Sequence, residues 1–315
     1  MAAPLLLAAL LAQPFPQPFH RRLTEGAEPP MSGDDVTILQ QLLRRPNHGN
    51  TTCTLACGCG CSHVFDGPTA DALECVTNGR TRALDAAAAA MVLRLFSSDH
   101  WTDDGAPAAQ SGHLYKILIP VHRNRSVETT ATLLDAHNAP LFNFTVRTHG
   151  HDVDTHGQRI DGKWPDLSDT GCPFAQTRQG CVGLNSFSAD GATPTGLSEI
   201  DLNAPEDSAK LYGPYPINRF VRGLAGNAAF LLPSIRNGVL IHTGEWQNYS
   251  AWQPGQPMPN SAGCVHAYPD AIRTLCRILV EKLHVQARPN TDGKLPYPFA
   301  PQGLAAVYEV GETIR

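Results

Sequence analysis

The sequence has no long apolar run beyond its first residues and no excess of charge of one sign. Apart from residues 1–12, no segment approaches the roughly 20 apolar residues of a transmembrane helix, so no membrane span is expected. The formal net charge is only -5, which indicates neither nucleic acid nor an anionic membrane as a partner. Charged residues make up 17% of the chain, beside 27 Gly and 26 Pro. This composition excludes a coiled coil and predicts a globular protein with many turns.

The N-terminal apolar run, residues 1–12, predicts a secretory signal peptide, although it carries no Lys or Arg. The alternative is an apolar N-terminal helix. Residues 13–32 are rich in Pro, Gly and charge and are interpreted as a linker. Nine cysteines fit an oxidising compartment, and the odd number leaves at least one outside intrachain disulfides. We therefore expect a secreted, extracellular protein, and N-glycosylation sequons occur at Asn50, Asn124, Asn143 and Asn248.

Three helices are predicted between residues 33 and 104. Asp35 and Thr69 are the expected caps of the first two, and Asp85 precedes the third, over residues 86–96. Apolar residues at helical spacing are Val36, Leu39, Leu42, Leu43, Ala70, Leu73, Val76, Met91, Val92, Leu95 and Phe96. This spacing favours a small three-helix domain.

The order of these elements resembles the peptidoglycan-binding three-helix domain of many cell-wall enzymes. The resemblance rests on an Asp-Val-x-x-Leu-Gln helix, a Phe-Asp-Gly-x-Thr-x-x-Ala-Leu turn and helix, and an Asp-Ala-x-x-Ala helix. A cysteine-rich insertion departs from the pattern at Cys53, Cys57, Cys59 and Cys61, with Cys75 as a fifth member. Zinc ligation is one interpretation, but disulfides are favoured in an exported chain.

The second half, residues 112–315, is predicted to be rich in β-structure. Residues 114–121, 128–134 and 140–148 have strand-like composition around turns, and no long helix separates them. Consecutive short strands favour an antiparallel sheet over a doubly wound one. The predicted fold class is therefore α+β, with a small helical domain followed by a mainly antiparallel β domain.

Two short stretches contain a candidate nucleophile and base. Cys264 follows a run of small residues, and His242 ends an apolar run that is typical of a buried strand. A thiol near pKa 8.5 is only partly ionised at neutral pH, so a neighbouring imidazole can activate it. Backbone N–H groups at Gly263 and Cys264 are candidate oxyanion donors, and Gly263 permits close approach of a substrate carbonyl.

Three ordered motifs across residues 112–290 resemble the L,D-transpeptidases. They are Thr193-Pro194-Thr195-Gly196, Ile241-His242, and Ser261-Ala262-Gly263-Cys264 followed by a helix. The resemblance implies that Cys264 attacks a peptidoglycan or muropeptide stem peptide to form a thioester, with His242 as the base and the Thr243 carbonyl orienting its ring. Ser261, His266, Arg219 and Trp246 are predicted to bind the substrate, and neither a cofactor nor a metal is implied.

The family pattern His-Gly-Cys-x-Arg is altered here to Ala262-Gly263-Cys264-Val265-His266. His266 is largely neutral above about pH 6.5, so the carboxylate contact of the usual arginine is lost unless another cation compensates. Candidates are Arg219, Arg222 and Arg236. The helix after Cys264, beginning at Pro269 or Asp270, is expected to direct its dipole at a thiolate, whereas Cys276 on its apolar face is expected to be an inert core thiol.

Two other functions fit parts of the sequence. His149, His151, Asp154 and His156 could form the site of a zinc-dependent wall peptidase, although a polar loop is the favoured interpretation. The changes at Ala262 and His266 would also suit a wall-binding protein that has lost catalysis.

Overall fold

The computed structural model describes residues 15–45, 62–125, 127–151, 185–243 and 258–311. The chain divides into two compact units, with the boundary after Ser97. The predicted signal peptide, residues 1–12, lies outside the described ranges. Within those ranges no helix has the length and apolar character needed to cross a membrane.

The first unit contains the three predicted helices. They are α1 Asp34–Leu43, α2 Gly67–Val76 and α3 Ala86–Phe96. As predicted, Asp85 caps α3, because its carboxylate accepts the Ala88 N–H at 2.8 Å. The other two caps differ from prediction. Asp66, rather than Thr69, caps α2 by accepting the Thr69 N–H at 3.0 Å, and Asp35 lies inside the first turn of α1, bonded to Arg21 Nε at 2.7 Å.

The predicted linker, residues 13–32, is described from residue 15 onwards, and two of its apolar side chains are buried. Phe19 and Leu23 are 1% and 0% exposed, and Leu23 forms an antiparallel bridge with Leu84. Their burial removes apolar surface from water, which a free linker would leave exposed. Cys75 is disulfide-bonded, in agreement with the interpretation that favoured disulfides over zinc. Cys53, Cys57, Cys59 and Cys61 lie outside the described residues.

The second unit is a closed eight-stranded barrel, which confirms the predicted fold class. The strands are β1 Tyr115–His122, β2 Thr129–Asp135, β3 Pro140–Arg147, β4 Gly196–Asn203, β5 Ile217–Gly223, β6 Leu240–His242, β7 Val265–Ala267 and β8 Gly303–Val310. Their order around the barrel is β1-β2-β3-β7-β6-β5-β4-β8. Pairing is antiparallel except between β1 and β8 and between β6 and β7. Closure leaves no unpaired edge at these strands.

The barrel core is apolar and is completed by one helix. Helix α6, Pro269–Arg277, begins at Pro269 as predicted and continues as a π-helix over Ile278–Lys282. It buries Ile272, Leu275 and Cys276 against the strands. Two shorter helices, α4 Ala209–Tyr212 and α5 Ala228–Leu231, connect strands near the site described below.

The segment between the helices and β1 belongs to the barrel unit, so the predicted domain end at residue 104 falls later than the observed boundary. Asp99 accepts hydrogen bonds from Thr195 Oγ1 at 2.8 Å and from the Asn227 N–H at 2.6 Å. Asp103 pairs with Lys116 Nζ at 2.9 Å. These carboxylates bind to partners distant in sequence, which turn and linker composition does not reveal.

We expect Asp85→Ala to lower the free energy of unfolding of the helical unit by about 1 kcal/mol, because the first turn of α3 loses its side-chain acceptor. Asp85→Asn, which keeps an acceptor oxygen, is the matched control and should cost less. Urea unfolding followed by circular dichroism measures both. Equal stability of Asp85→Ala and the parent chain would show that this cap contributes nothing.

Candidate active site

The parallel pair of β6 and β7 brings Cys264 and His242 onto one face of the sheet. Ile241 is opposite Val265 and His242 is opposite His266. Because side chains alternate along a strand, Ile241 and Val265 enter the barrel core while His242 and His266 face the other way. Cys264 comes two residues before His266 and so shares its face, with His242 as its diagonal neighbour. The predicted pair is therefore close in space.

Cys264 carries a thiol at the start of β7 and is 8% exposed. Its sulfur lies 3.6 Å from the Gly238 carbonyl oxygen. It packs against Leu240 and Ile217, with Tyr212 beside them. Cys264 thus sits in an apolar patch on the outer face, next to the imidazoles.

The other thiol, Cys276, occupies a different environment. Its sulfur lies 2.9 Å from the Pro216 carbonyl oxygen, and burial raises its pKa to about 12. A thiol with such a pKa stays protonated at neutral pH and is a poor nucleophile. These properties are those expected of an inert core residue.

Ser261 organises the turn that precedes the nucleophile. Its hydroxyl accepts the Gly263 N–H at 3.1 Å and lies within donating distance of the carbonyl oxygens of Cys264, at 2.8 Å, and His149, at 2.9 Å. The hydroxyl, predicted to bind substrate, is therefore engaged within the turn. The Gly263 N–H, one of the two predicted oxyanion donors, is engaged there as well.

His242 and His266 form a buried pair of rings. Their centroids are 4.8 Å apart at an interplanar angle of 77°, and the Tyr212 ring lies 5.1 Å from His242. His266 donates its Nδ1–H to the Pro259 carbonyl oxygen at 3.0 Å, which leaves Nε2 as the acceptor nitrogen of a neutral ring. Thr243, predicted to orient His242 through its carbonyl, donates its hydroxyl to the Tyr212 carbonyl oxygen at 3.2 Å.

Burial keeps both imidazoles neutral. Desolvation lowers the pKa of His266 to about 3, and the neighbouring charges of Arg147 and His151 act in the same direction. Desolvation, followed by repulsion from His266, holds the pKa of His242 well below its usual range. Neither neutral ring can act as a carboxylate-binding cation, and the lowered pKa makes each of them a weaker proton acceptor than an ordinary histidine.

The three candidate arginines lie in different surroundings. Arg219 is held by Glu206, Asn203 and Asn290, and Arg222 pairs with Glu199 on the surface. Arg236 is 4% exposed and lies beside the Cys264 turn, donating to the Ala262 carbonyl oxygen at 3.1 Å. Sequence reasoning named Arg236 only as one of three, since its position depends on the chain fold after α5.

Gly263 makes room for the guanidinium of Arg236 beside the turn. Its φ is +104°, a conformation that L side chains rarely adopt, and a Cβ at this position would collide with the Arg236 guanidinium. The glycine was predicted to admit a substrate carbonyl. In the structure it admits the guanidinium of Arg236.

The Thr193–Gly196 motif leads into β4, which begins at Gly196. Its first residue also contacts the backbone of Cys264. Thr193 Oγ1 lies 3.5 Å from the Cys264 carbonyl oxygen. Two of the three motifs therefore meet at Cys264, although 71 residues separate them in sequence.

The predicted dipole contact of α6 with Cys264 is not observed. The helix begins at Pro269, at the far end of β7, while Cys264 stands at the near end. A three-residue strand is about 10 Å long, so the helix N-terminus is too distant for the dipole to act strongly on the sulfur.

A shallow cleft lies beside Gly238, whose carbonyl contacts the Cys264 thiol. Arg219, Tyr297 and Lys294 line it, and Lys294 is exposed. Because the charge of Arg219 is paired with Glu206, Lys294 is the cation that the cleft presents to solvent. Cys264 and His242 do not line this cleft, and Gly238 is the lining residue that contacts the sulfur.

The remaining predicted site residues are only partly described. His149 and His151 are buried, whereas Asp154, His156 and Trp246 lie outside the described residues. Where the chain is described, no group of three or more His, Cys, Asp or Glu side chains is placed to hold a metal ion.

No protein-family model, curated protein or solved structure matches this chain. Its function has to be inferred from its own residues and their geometry.

We expect the barrel unit to lose stability as the pH falls from about 6.5 towards 4. A histidine that stays neutral in the folded state, with a pKa of about 3 for His266, binds its proton in the unfolded state first. Each such ring costs up to about 1.4 kcal/mol per pH unit in this window, and the effect is absent above it. Urea unfolding at successive pH values measures the slope. His266→Gln should reduce it and His137→Gln, at an exposed turn, serves as control; an unchanged slope in His266→Gln would contradict the assignment.

Proposed function

We propose that this chain is a secreted cysteine-dependent acyltransferase or amidase that acts on peptidoglycan stem peptides, as the L,D-transpeptidases do. The observation that carries the proposal is the parallel pairing of β6 with β7, which sets His242 beside His266, two residues after Cys264. The contact of Thr193 with the Cys264 carbonyl adds support, because it joins a second family motif to the same point. In this proposal the N-terminal helices bind the wall.

In the proposed reaction the Cys264 sulfur attacks the carbonyl carbon of the amide between a diamino acid and a terminal D-amino acid. A carbon–sulfur bond forms, and the carbon–nitrogen bond breaks as the tetrahedral intermediate collapses. The thiol proton passes to the neutral His242 ring and then to the leaving amine. The Cys264 N–H stabilises the oxyanion. An amine from a second stem then resolves the thioester as a cross-link, or water hydrolyses it.

The cleft beside Gly238 is the proposed path for the stem peptide. Lys294 supplies the cation that a substrate carboxylate needs, a task for which the neutral His266 is unsuited. An exposed ammonium binds a carboxylate as a point charge, without the bidentate geometry of an arginine.

We expect the purified chain to convert defined tetrapeptide or pentapeptide stems into cross-linked or trimmed products, detected by mass spectrometry. Cys264→Ala should abolish them because no thioester can form. Cys276→Ala, which removes the only other described thiol, is the matched control and should retain activity. Trapping of the acylated peptide containing Cys264 would identify the intermediate directly.

Other outcomes distinguish the alternatives. Identical products from Cys264→Ala and the parent chain would refute catalysis by this cysteine. If a chelator then abolished activity, a metal-dependent peptidase would be indicated. Binding of the stems without any product would indicate a wall-binding protein.

A further inference from the structure

Arg236 is a buried cation with an unusually complete set of backbone acceptors. Its Nη1 donates to the carbonyl oxygens of Ser186, at 2.7 Å, and Ala192, at 2.6 Å. Its Nη2 donates to those of Gly191, at 3.0 Å, and Ala262, at 3.1 Å. Neutral carbonyls satisfy the hydrogen-bonding needs of the guanidinium but leave its charge unbalanced. Such a charge favours an anion nearby.

Cys264 is the ionisable residue of the turn that this guanidinium contacts, and Asp190 is a second group near it that can be anionic. Nη2 contacts the peptide on the N-terminal side of Gly263, and it would occupy the space of a Gly263 Cβ. Arg236 and Cys264 are thus separated by one glycine that has no side chain to come between them. Burial lowers the pKa of Arg236 to about 10, Cys264 and Asp190 act in the opposite direction, and Arg125 lowers it further, so the guanidinium remains charged at neutral pH.

The two groups that the sequence suggested as a source of positive charge at Cys264, an imidazole and the N-terminus of α6, do not provide it here. Both imidazoles on its face are neutral, and the N-terminus of α6 lies beyond β7. The charged and titratable groups around this cluster are His242, His266, His151, Tyr212, Asp190, Arg125, Arg147 and Arg236. Arg236 donates to the Ala262 carbonyl in the turn that carries the cysteine, whereas Arg147 donates to the Met258 carbonyl and Arg125 to the Thr193 carbonyl.

We propose that Arg236 is a positioning residue whose fixed charge stabilises the thiolate of Cys264, in place of an imidazolium. This inference rests on the proposed function, since it concerns the same nucleophile. The thiol proton leaves to the neutral His242 ring or to solvent, and Arg236 exchanges no proton. Its hydrogen bonds to Gly191 and Ala262 also hold the turn before β4 against the turn before β7.

The test is the ionisation of the Cys264 thiol, followed by thiolate ultraviolet absorbance against pH and corrected with Cys264→Ala. We expect Arg236→Gln to raise the pKa of Cys264 by about 1 to 3 units, the range for loss of an adjacent opposite charge. Arg236→Lys keeps the charge and should lie closer to the parent. Arg222→Gln removes a surface charge that is paired with Glu199, and this variant should change the pKa of Cys264 little.

An Arg236→Gln titration equal to that of the parent would overturn the inference. If this variant does not fold, the arginine Nε–H resonances of the parent chain provide the second measurement. The chemical shift of one of these resonances should change with the ionisation of the thiol, and this change should be absent in Cys264→Ser. If no arginine resonance behaves in this way, the inference is also overturned. Neither readout requires stem peptides, so a failure here leaves the product assay of the proposed function unaffected, and the reverse holds as well.

Discussion

The parallel pairing of β6 with β7 is the interaction on which the candidate site depends. Each strand has only three residues, and each is held on its other edge by an antiparallel neighbour, β5 or β3. Barrel closure therefore fixes the register of two strands that are too short to be stable by themselves. A shift by one residue would send His242 and His266 into the apolar core and Ile241 and Val265 out of it.

The site combines neutral rings with a buried charge. Desolvation alone would oppose every ion in this region, and it does keep His242 and His266 uncharged. Arg236 nevertheless stays charged, because guanidinium has a very high intrinsic pKa and because four carbonyl oxygens replace its water. In the proposed mechanism His242 is the base and Arg236 is the cation. In a cysteine–histidine ion pair, a single imidazole has both roles.

Local patterns predicted local structure well. Asp85 and the apolar spacing behind it marked α3, and the first three strands lie within two residues of their expected bounds. Errors arose where a residue's partner is remote. Gly/Pro-rich composition at residues 13–32 suggested a linker, yet Phe19 and Leu23 are buried. The helical domain was expected to extend to residue 104, although Asp99 binds Thr195 and Asn227 of the barrel unit. The composition of a segment indicates its local conformation, but it does not indicate which distant residues the segment will contact in the fold.

The sequence by itself determined the fold class, the order of the elements and the identity of Cys264 and His242 as a candidate pair, because alternation, spacing and capping act over a few residues. Only the tertiary structure decided which arginine contacts the turn before Cys264. It also showed that Ser261 and the Gly263 N–H serve the turn and that α6 points elsewhere. Burial and long-range hydrogen bonds set the charge of a side chain, and neither is determined until distant segments meet.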